Sequence, residues 1–262
     1  MSHFFPLSDA RSVNRFEEKF ALVAAGRGLI PERLWESGED KITLWTRPSA
    51  VEGPAPCLFL SAGIHGDEPC GPETLLRFLE DHPLSTACEW VVAPLLNPSG
   101  MKRGTRENRD GIDLNRDFYR KESGEVRALT SWWEARERGC DLHVSLHEDW
   151  ETSGLYLYEI NTGGIASFAG RVLDSIRGTV ALEGTGPVDG HELSAPGLIL
   201  HAAEPDEELG WPEAIWLAKR YPLLSLTLEG AGGIDCHSRT AGLLAALTTV
   251  VAEAEAMATD GF

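Results

Sequence analysis

Apolar residues along this chain fall into two alternating kinds of run. Some runs are short and nearly continuous, as in PCLFLSAGI at 56–64, and such runs are typical of strands buried on both faces of a sheet. Others recur at helical spacing, as in PETLLRFLED at 72–81. The two kinds alternate along most of the chain, which predicts an α/β protein with helices layered on a largely parallel or mixed sheet.

The same pattern predicts the other elements of the fold. Strands are predicted at 41–48, 56–64, 89–97, 140–149, 154–161, 197–203 and 223–230. Helices are predicted at 8–26, 72–81, 123–139, 163–178, 211–221 and 239–258. The strands at 140–149 and 154–161 follow each other closely, so we expect them to be neighbours in the sheet.

Length and composition predict a single domain over residues 1–262. The chain has 262 residues, of which 42% are hydrophobic, enough for one sizeable core. No linker, repeat or low-complexity segment divides it.

The charge balance narrows the choice of partners. The formal net charge is −18, which disfavours binding to nucleic acid or to an anionic membrane surface. The first twenty residues lack a basic region followed by a long apolar run, and no stretch of about 18 apolar residues is evident. For a complete chain these features predict a cytoplasmic protein that binds no membrane.

The cysteines give a weaker indication of the same compartment. There are five of them, scattered and without a CxxC pair. We therefore expect free thiols that pack as small hydrophobic side chains in a reducing compartment.

The first candidate for chemistry is the turn between a predicted strand and helix, where His65 and Glu68 lie. Open α/β sheets bind their ligands at the carboxyl ends of strands. Imidazole and carboxylate are natural ligands of Zn²⁺. A third ligand has to come from elsewhere in the chain.

The segment CDLHVSLHEDW offers two histidines for this role, His143 and His147. Four residues along a strand span about 13 Å, so both cannot bind one ion. His147 lies at the predicted carboxyl end of its strand, as His65 does, and is the favoured ligand. His143 remains the alternative.

Two histidines and one glutamate leave a coordination position open, which is typical of catalytic rather than structural zinc. Such a site needs a nearby carboxylate to accept a proton from water. Glu229 ends the predicted strand LLSLTLEG and is the candidate. The loop GTRENRDGIDLNRDF concentrates arginines in an acidic chain, and arginine is suited to binding a carboxylate.

Taken in order, these motifs resemble the zinc carboxypeptidase superfamily. The match consists of His65-Gly-Asp-Glu68, then Asp113-Leu-Asn115-Arg116, then a strand-end histidine, then Glu229 in a late strand. NPSGMKRGTREN before GIDLNRDF is also similar to the family's loop, and the resemblance covers roughly residues 56–230.

The resemblance implies a role for each matched residue. His65, Glu68 and His147 would bind one Zn²⁺, and Asp113 would orient His65. Glu229 would act as general base and then as general acid. The substrate side is implied in the same way: Arg106 would stabilise the oxyanion, while Asn115 and Arg116 would bind the free carboxylate. The implied fold is a three-layer α/β/α arrangement around a mixed sheet of about eight strands.

The implied activity is that of a zinc metallocarboxypeptidase, which removes a C-terminal residue from a peptide. A second branch, related to succinylglutamate desuccinylase and aspartoacylase, shares these motifs and cleaves N-acyl amino acids. "DLH" at 141–143 resembles the ligand motif of that branch, which keeps His143 open as the alternative third ligand. The chain after Glu229 is too short for the additional β-rich part of those enzymes, so the peptidase is the favoured interpretation. In both cases the substrate, a small peptide or an acyl amino acid, has a free carboxylate.

Overall fold

A mixed eight-stranded sheet runs through the computed structural model, which describes residues 7–184 and 186–260. Its strands are Ile30–Ser37 (β1), Asp40–Arg47 (β2), Cys57–Ala62 (β3), Glu89–Ala93 (β4), Leu142–Asp149 (β5), Tyr156–Asn161 (β6), Leu198–Leu200 (β7) and Leu224–Ala231 (β8). They lie side by side in the order β1-β2-β4-β3-β5-β8-β6-β7.

Helices cover both faces of this sheet. They are Ala10–Gly26 (α1), Cys70–Asp81 (α2), Pro98–Met101 (α3), Gly124–Glu134 (α4), Ala169–Arg177 (α5), Glu213–Ala218 (α6) and Cys236–Asp260 (α7), with a 3₁₀ turn at Leu114–Arg116. The predicted α/β/α layers and the predicted mixed sheet are both confirmed.

Two apolar clusters hold the layers together. One packs α1, α2, α5 and α7 against one face of the sheet, and Leu75 and Leu247 are fully buried in it. The other packs α4 and α6 on the opposite face around Trp133 and Trp216. Burying each such side chain contributes roughly 1.5–3 kcal/mol, which is why the alternating apolar runs determine the architecture.

The four central strands β4, β3, β5 and β8 are mutually parallel, and this sets the position of the site. Their carboxyl ends therefore share one edge of the sheet. β3 and β8 flank β5 directly, and His147 on β5 pairs in register with Glu229 on β8.

Several predictions about the elements were wrong or incomplete. β1 was not predicted, because most of its side chains are exposed and leave no apolar run. β5 and β6 are not neighbours, because β8 is inserted between them. The predicted helix at 163–178 begins only at Ala169.

The expectation of free thiols throughout is also wrong. Cys70, the first residue of α2, forms a disulfide with Cys236, the first residue of α7, and their Cα atoms are 6.5 Å apart. The other three cysteines are free and buried. Because disulfides persist mainly in oxidising environments, the cysteines no longer support a reducing compartment.

One long helix bears on the prediction that no apolar stretch is long enough to span a membrane. By length and composition alone, Cys236–Ala258 would suffice to cross a bilayer, contrary to the sequence interpretation. In the structure this helix packs against α2 and α5 through Leu243, Leu247 and Val250. The prediction about a leader rests partly on residues 1–6, which lie outside the described residues.

Candidate metal centre

The turn between β3 and α2 carries the first two candidate ligands. His65 and Glu68 are only 3% and 5% exposed there, and His147 at the end of β5 is 3% exposed. Their candidate ligand atoms all lie within 4.8 Å of one another. The structure thus brings together the three residues that the sequence proposed as metal ligands.

Each imidazole presents its Nδ1 atom to the same carboxylate. His65 Nδ1 lies 2.5 Å from Oε1 of Glu68, and His147 Nδ1 lies 3.0 Å from Oε2. The two imidazole rings have their centroids 5.1 Å apart. Two nitrogen donors therefore converge on one carboxylate.

Asp113 contacts the opposite side of the His65 ring. Its Oδ1 lies 3.2 Å from His65 Nε2, and its Oδ2 accepts a hydrogen bond of 2.9 Å from Arg106 Nε. Such a carboxylate fixes both the tautomer and the orientation of a ligand histidine. Asp113 is itself held in place because its side chain accepts from the backbone N–H of Asn115.

The charges of these groups suit a divalent cation. Burial would raise the pKa of Glu68, but the two imidazoles outweigh it and lower this pKa to about 2. Burial would lower the pKa of His65, yet Glu68 and Asp113 raise it to about 8. The Glu68 carboxylate therefore stays ionised, and its negative charge favours the protonated form of the His65 imidazole. Two nitrogens and one ionised oxygen form a donor set that fits Zn²⁺. A bound Zn²⁺ would take the place of the proton that gives the His65 imidazole its positive charge.

Glu229 lies beside this group on β8, opposite His147 on one side and Tyr156 on the other. Burial, reinforced by the charges of Glu68 and Asp149, raises the pKa of Glu229 to about 8. A divalent cation at the three ligands would lower that value by its positive charge. Glu229 is therefore placed to exchange a proton near neutral pH.

A cavity of about 290 Å³ opens in front of these residues. Arg106, Asn115 and Arg116 line it, as the sequence proposed for the substrate side. Arg106 also approaches the candidate metal position, with Nη1 3.7 Å from Glu68 Oε1. Guanidinium and amide donors therefore face the same space as the triad.

His143, the alternative ligand, lies elsewhere. Its ring is fully buried and stacks on Phe59, with 5.1 Å between centroids. Its Nδ1 is 2.8 Å from Ser225 Oγ and its Nε2 is 3.3 Å from Glu213 Oε2. It is not part of the group around Glu68.

Two side chains near the site had no role assigned from the sequence. Glu148 is buried and pairs with Arg239 of α7, and it also accepts a 2.6 Å hydrogen bond from the backbone of Cys70. It therefore anchors the start of α2. Glu213 lines the cavity from the first turn of α6. The only signal for it in the sequence is a carboxylate at the start of an otherwise apolar helix.

Gly66 allows the close approach that positions the ligand turn. A Cβ atom at this position would collide with the backbone of Gly100 and Met101. We expect Gly66→Ala to cost about 1–3 kcal/mol of stability and to weaken metal binding, because the turn would have to shift. Thermal unfolding and zinc titration of the purified variant measure both effects. Gly170→Ala is the matched control, because a Cβ atom at Gly170 would meet nothing within 4 Å. Equal stability and equal zinc affinity of the two variants would contradict this expectation.

Comparison with known proteins agrees with this fold. Residues 54–163 match the family model of the succinylglutamate desuccinylase/aspartoacylase catalytic domain. Carboxypeptidase SOL1 of Arabidopsis thaliana is 33% identical over 104 residues, an alignment that covers 33% of this chain and 21% of that protein. The chain thus spans about a fifth of the length of this curated relative.

Solved structures show the same fold over nearly the whole chain. A protein from Shewanella baltica OS155 assigned as a metallopeptidase is 24% identical, with a TM-score of 0.79 and 92% of each chain covered. A metallo-carboxypeptidase from Burkholderia cenocepacia is 16% identical, with a TM-score of 0.69, covering 93% of this chain and 69% of that one. Carboxypeptidase A from Helicoverpa armigera is 15% identical, with a TM-score of 0.65, covering 94% of this chain and 73% of that one. The chain thus has a carboxypeptidase-like fold, and over residues 54–163 its sequence is similar to the succinylglutamate desuccinylase/aspartoacylase catalytic domain.

Proposed function

We propose that this protein is a zinc-dependent metallocarboxypeptidase that hydrolyses the C-terminal amide bond of a peptide. The observation that carries the proposal is the convergence, in one cavity, of His65, Glu68 and His147 with the half-buried carboxylate of Glu229. A structural zinc site would leave no reason for a second carboxylate and an open cavity beside it.

The groups around the cavity have different roles in hydrolysis. When bound, zinc supplies Lewis acidity, which polarises the substrate carbonyl and acidifies water. Glu229 accepts the proton of the attacking water and then delivers it to the leaving amine. Arg106 stabilises the negative charge that develops on the carbonyl oxygen.

Asn115 and Arg116 select a substrate that ends in a free carboxylate. The backbone carbonyl of Asn115 accepts a 3.0 Å hydrogen bond from Arg116 Nη1, which fixes the guanidinium at the cavity wall. A guanidinium held in this way binds a carboxylate by parallel hydrogen bonds.

The second candidate function is hydrolysis of N-acyl amino acids, and the family match over residues 54–163 favours it. Both reactions cleave an amide next to a free carboxylate, so they use the same groups. They differ in whether the acyl side of the bond is a peptide or a small acid.

A turnover assay followed by mass spectrometry separates the two. The purified protein is incubated with one mixture of short peptides and N-acyl amino acids, with and without a chelator. The carboxypeptidase proposal requires loss of single C-terminal residues, blocked by the chelator and absent for C-terminally amidated peptides. Chelator-sensitive release of small acyl groups alone would assign the second function, and no metal-dependent turnover of either class would refute both.

Arg116→Ala tests the proposed carboxylate contact. We expect kcat/KM to fall by about 100-fold, mainly through KM, because a charged hydrogen-bond pair to the substrate is lost. The variant should also lose the discrimination between free and amidated C-termini. Arg103→Ala, an exposed arginine of the same loop, is the control and should change neither quantity. Retained discrimination in Arg116→Ala would show that another group binds the carboxylate.

A further inference from the structure

Two histidines and an aspartate meet on one wall of the cavity, apart from the three candidate zinc ligands. One candidate ligand atom each of His191, His201 and Asp206 lies within 4.8 Å of the other two. His191 Nε2 is 3.4 Å from Asp206 Oδ2, and the two imidazole rings have their centroids 5.1 Å apart. All three residues line the cavity, and the group shares no residue with the first metal centre.

A tight turn of the backbone positions His191. The backbone groups of Val188 and His191 exchange two hydrogen bonds of 2.9 Å. The two residues between them, Asp189 and Gly190, have φ angles of 50° and 79°. Positive φ at both central positions is the signature of a type I′ turn, and aspartate and glycine are the residues that tolerate it. The sequence VDGH therefore fixes the backbone from which the imidazole projects.

His201 is positioned by the sheet and Asp206 by the bend that follows. His201 comes directly after β7, and its backbone N–H donates a 2.9 Å hydrogen bond to the carbonyl of Glu159 on β6. Two residues later Ala203 has a φ of 59°, in the left-handed region that a residue with a Cβ atom rarely adopts. The chain bends there, and Asp206 lies beside His191.

Ring contacts rather than hydrogen bonds hold the imidazole of His201. The ring lies edge-on to those of His191 and Tyr158, with 5.1 and 6.2 Å between centroids. Its Nδ1 is enclosed and has no hydrogen-bond partner among the described residues, which leaves Nε2 to face an ion in the cavity. A histidine with a purely structural role is normally hydrogen-bonded when it is buried. Burial and the neighbouring His191 lower the pKa of His201, so its ring is neutral at pH 7.

No cationic side chain neutralises this wall of the cavity. Over residues 7–184 and 186–260, no lysine or arginine forms an ion pair with Asp189 or Asp206, and His191 is the basic neighbour of Asp206. Eight of the side chains that line the cavity are carboxylates, against two guanidinium groups. This excess of negative charge attracts cations. Two imidazoles and a carboxylate are donors that suit zinc and similar divalent metals.

We propose that His191, His201 and Asp206 form a second metal site, which binds one divalent transition-metal ion such as Zn²⁺ and holds residues 186–210 in place at the cavity. The ion joins ligands up to 15 residues apart in a segment whose one strand is the three-residue β7. Its exposure makes it the weaker site, because the Asp206 side chain is 66% exposed and that of Glu68 is 6% exposed. The second ion is therefore lost on dialysis, whereas the first is retained.

Zinc stoichiometry tests the second site directly. The full chain is stripped with a chelator and titrated with Zn²⁺ by calorimetry. We expect two ions per chain, the second bound at least about tenfold more weakly than the first. Asp206→Asn, at an exposed position where folding is not at risk, should weaken the second ion by at least about tenfold and leave the first unchanged. His201→Ala should abolish binding of the second ion.

Two other histidine variants separate the sites. His237→Ala is the matched control, since His237 is an exposed histidine outside the cavity, and it should keep both ions. His147→Ala should lose the tight ion and keep the weak one. A single ion per native chain would overturn the proposal. A weak ion that survives both Asp206→Asn and His201→Ala would overturn it too, because that ion would be adventitious.

Hydrogen exchange shows whether the second ion holds the segment. The backbone N–H groups of His191 and Leu198 are hydrogen-bonded within it. With free Zn²⁺ at about ten times the second dissociation constant, exchange over residues 186–210 should slow by about tenfold in the native protein and not in Asp206→Asn. Exchange that the second ion leaves unchanged would refute its role in holding the segment. Neither measurement uses a substrate, so both outcomes are independent of the proposed function.

Discussion

Replacing Glu229 with glutamine should lower kcat by about 1,000-fold or more while the protein keeps its zinc. A positioned general acid or base contributes roughly 100-fold to 10,000-fold to a rate. Glu229 is proposed to serve in both capacities within one turnover. Glutamine keeps the size of the side chain and one acceptor oxygen, but it cannot accept and return a proton.

The expected signature separates loss of chemistry from loss of the site. Zinc content, measured after purification, and KM should stay close to native, because Glu229 is not one of the three candidate ligands. Glu151→Gln, an exposed carboxylate on the same cavity, should keep kcat within about threefold. A loss of less than tenfold in Glu229→Gln with zinc retained would mean that another group moves the proton.

The structure shows which features of the fold could be predicted from short stretches of the sequence. β3 and β5 were predicted because both faces of these strands are buried, which leaves continuous apolar runs in the sequence. β1 was missed because it is an edge strand whose hydrogen bonds to β2 do not require buried side chains. The position of β8 between β5 and β6 results from long-range pairing that no local pattern records.

The residues of the candidate site also fall into those that the sequence predicted and those that it missed. His65, His147 and Glu229 were found because parallel strands share an edge at their carboxyl ends, which is a rule of topology. Glu213 was missed because its environment is built by four separate segments, those of Ser61, Asn115, His143 and α6 itself. The disulfide was missed because residues 166 apart in sequence meet only in the folded chain.

Loss of His147 should have the largest effect on metal binding. We expect His147→Ala to purify without stoichiometric zinc and to lose activity by about 1,000-fold or more, because two ligands hold the ion too weakly. Elemental analysis of the dialysed protein measures the zinc, and addition of excess zinc tests whether any activity returns.

His143→Ala is the informative comparison, because it removes the other histidine of the same strand. It should keep one zinc per chain, since His143 lies apart from the group around Glu68. Its stability should fall by about 1–3 kcal/mol, because deletion of the buried ring leaves the Ser225 hydroxyl and the Glu213 carboxylate short of partners. If zinc were instead lost from His143→Ala and kept by His147→Ala, the third ligand would be His143, the alternative that the "DLH" motif leaves open. The buried network around Glu213 would then have to rearrange to free its imidazole.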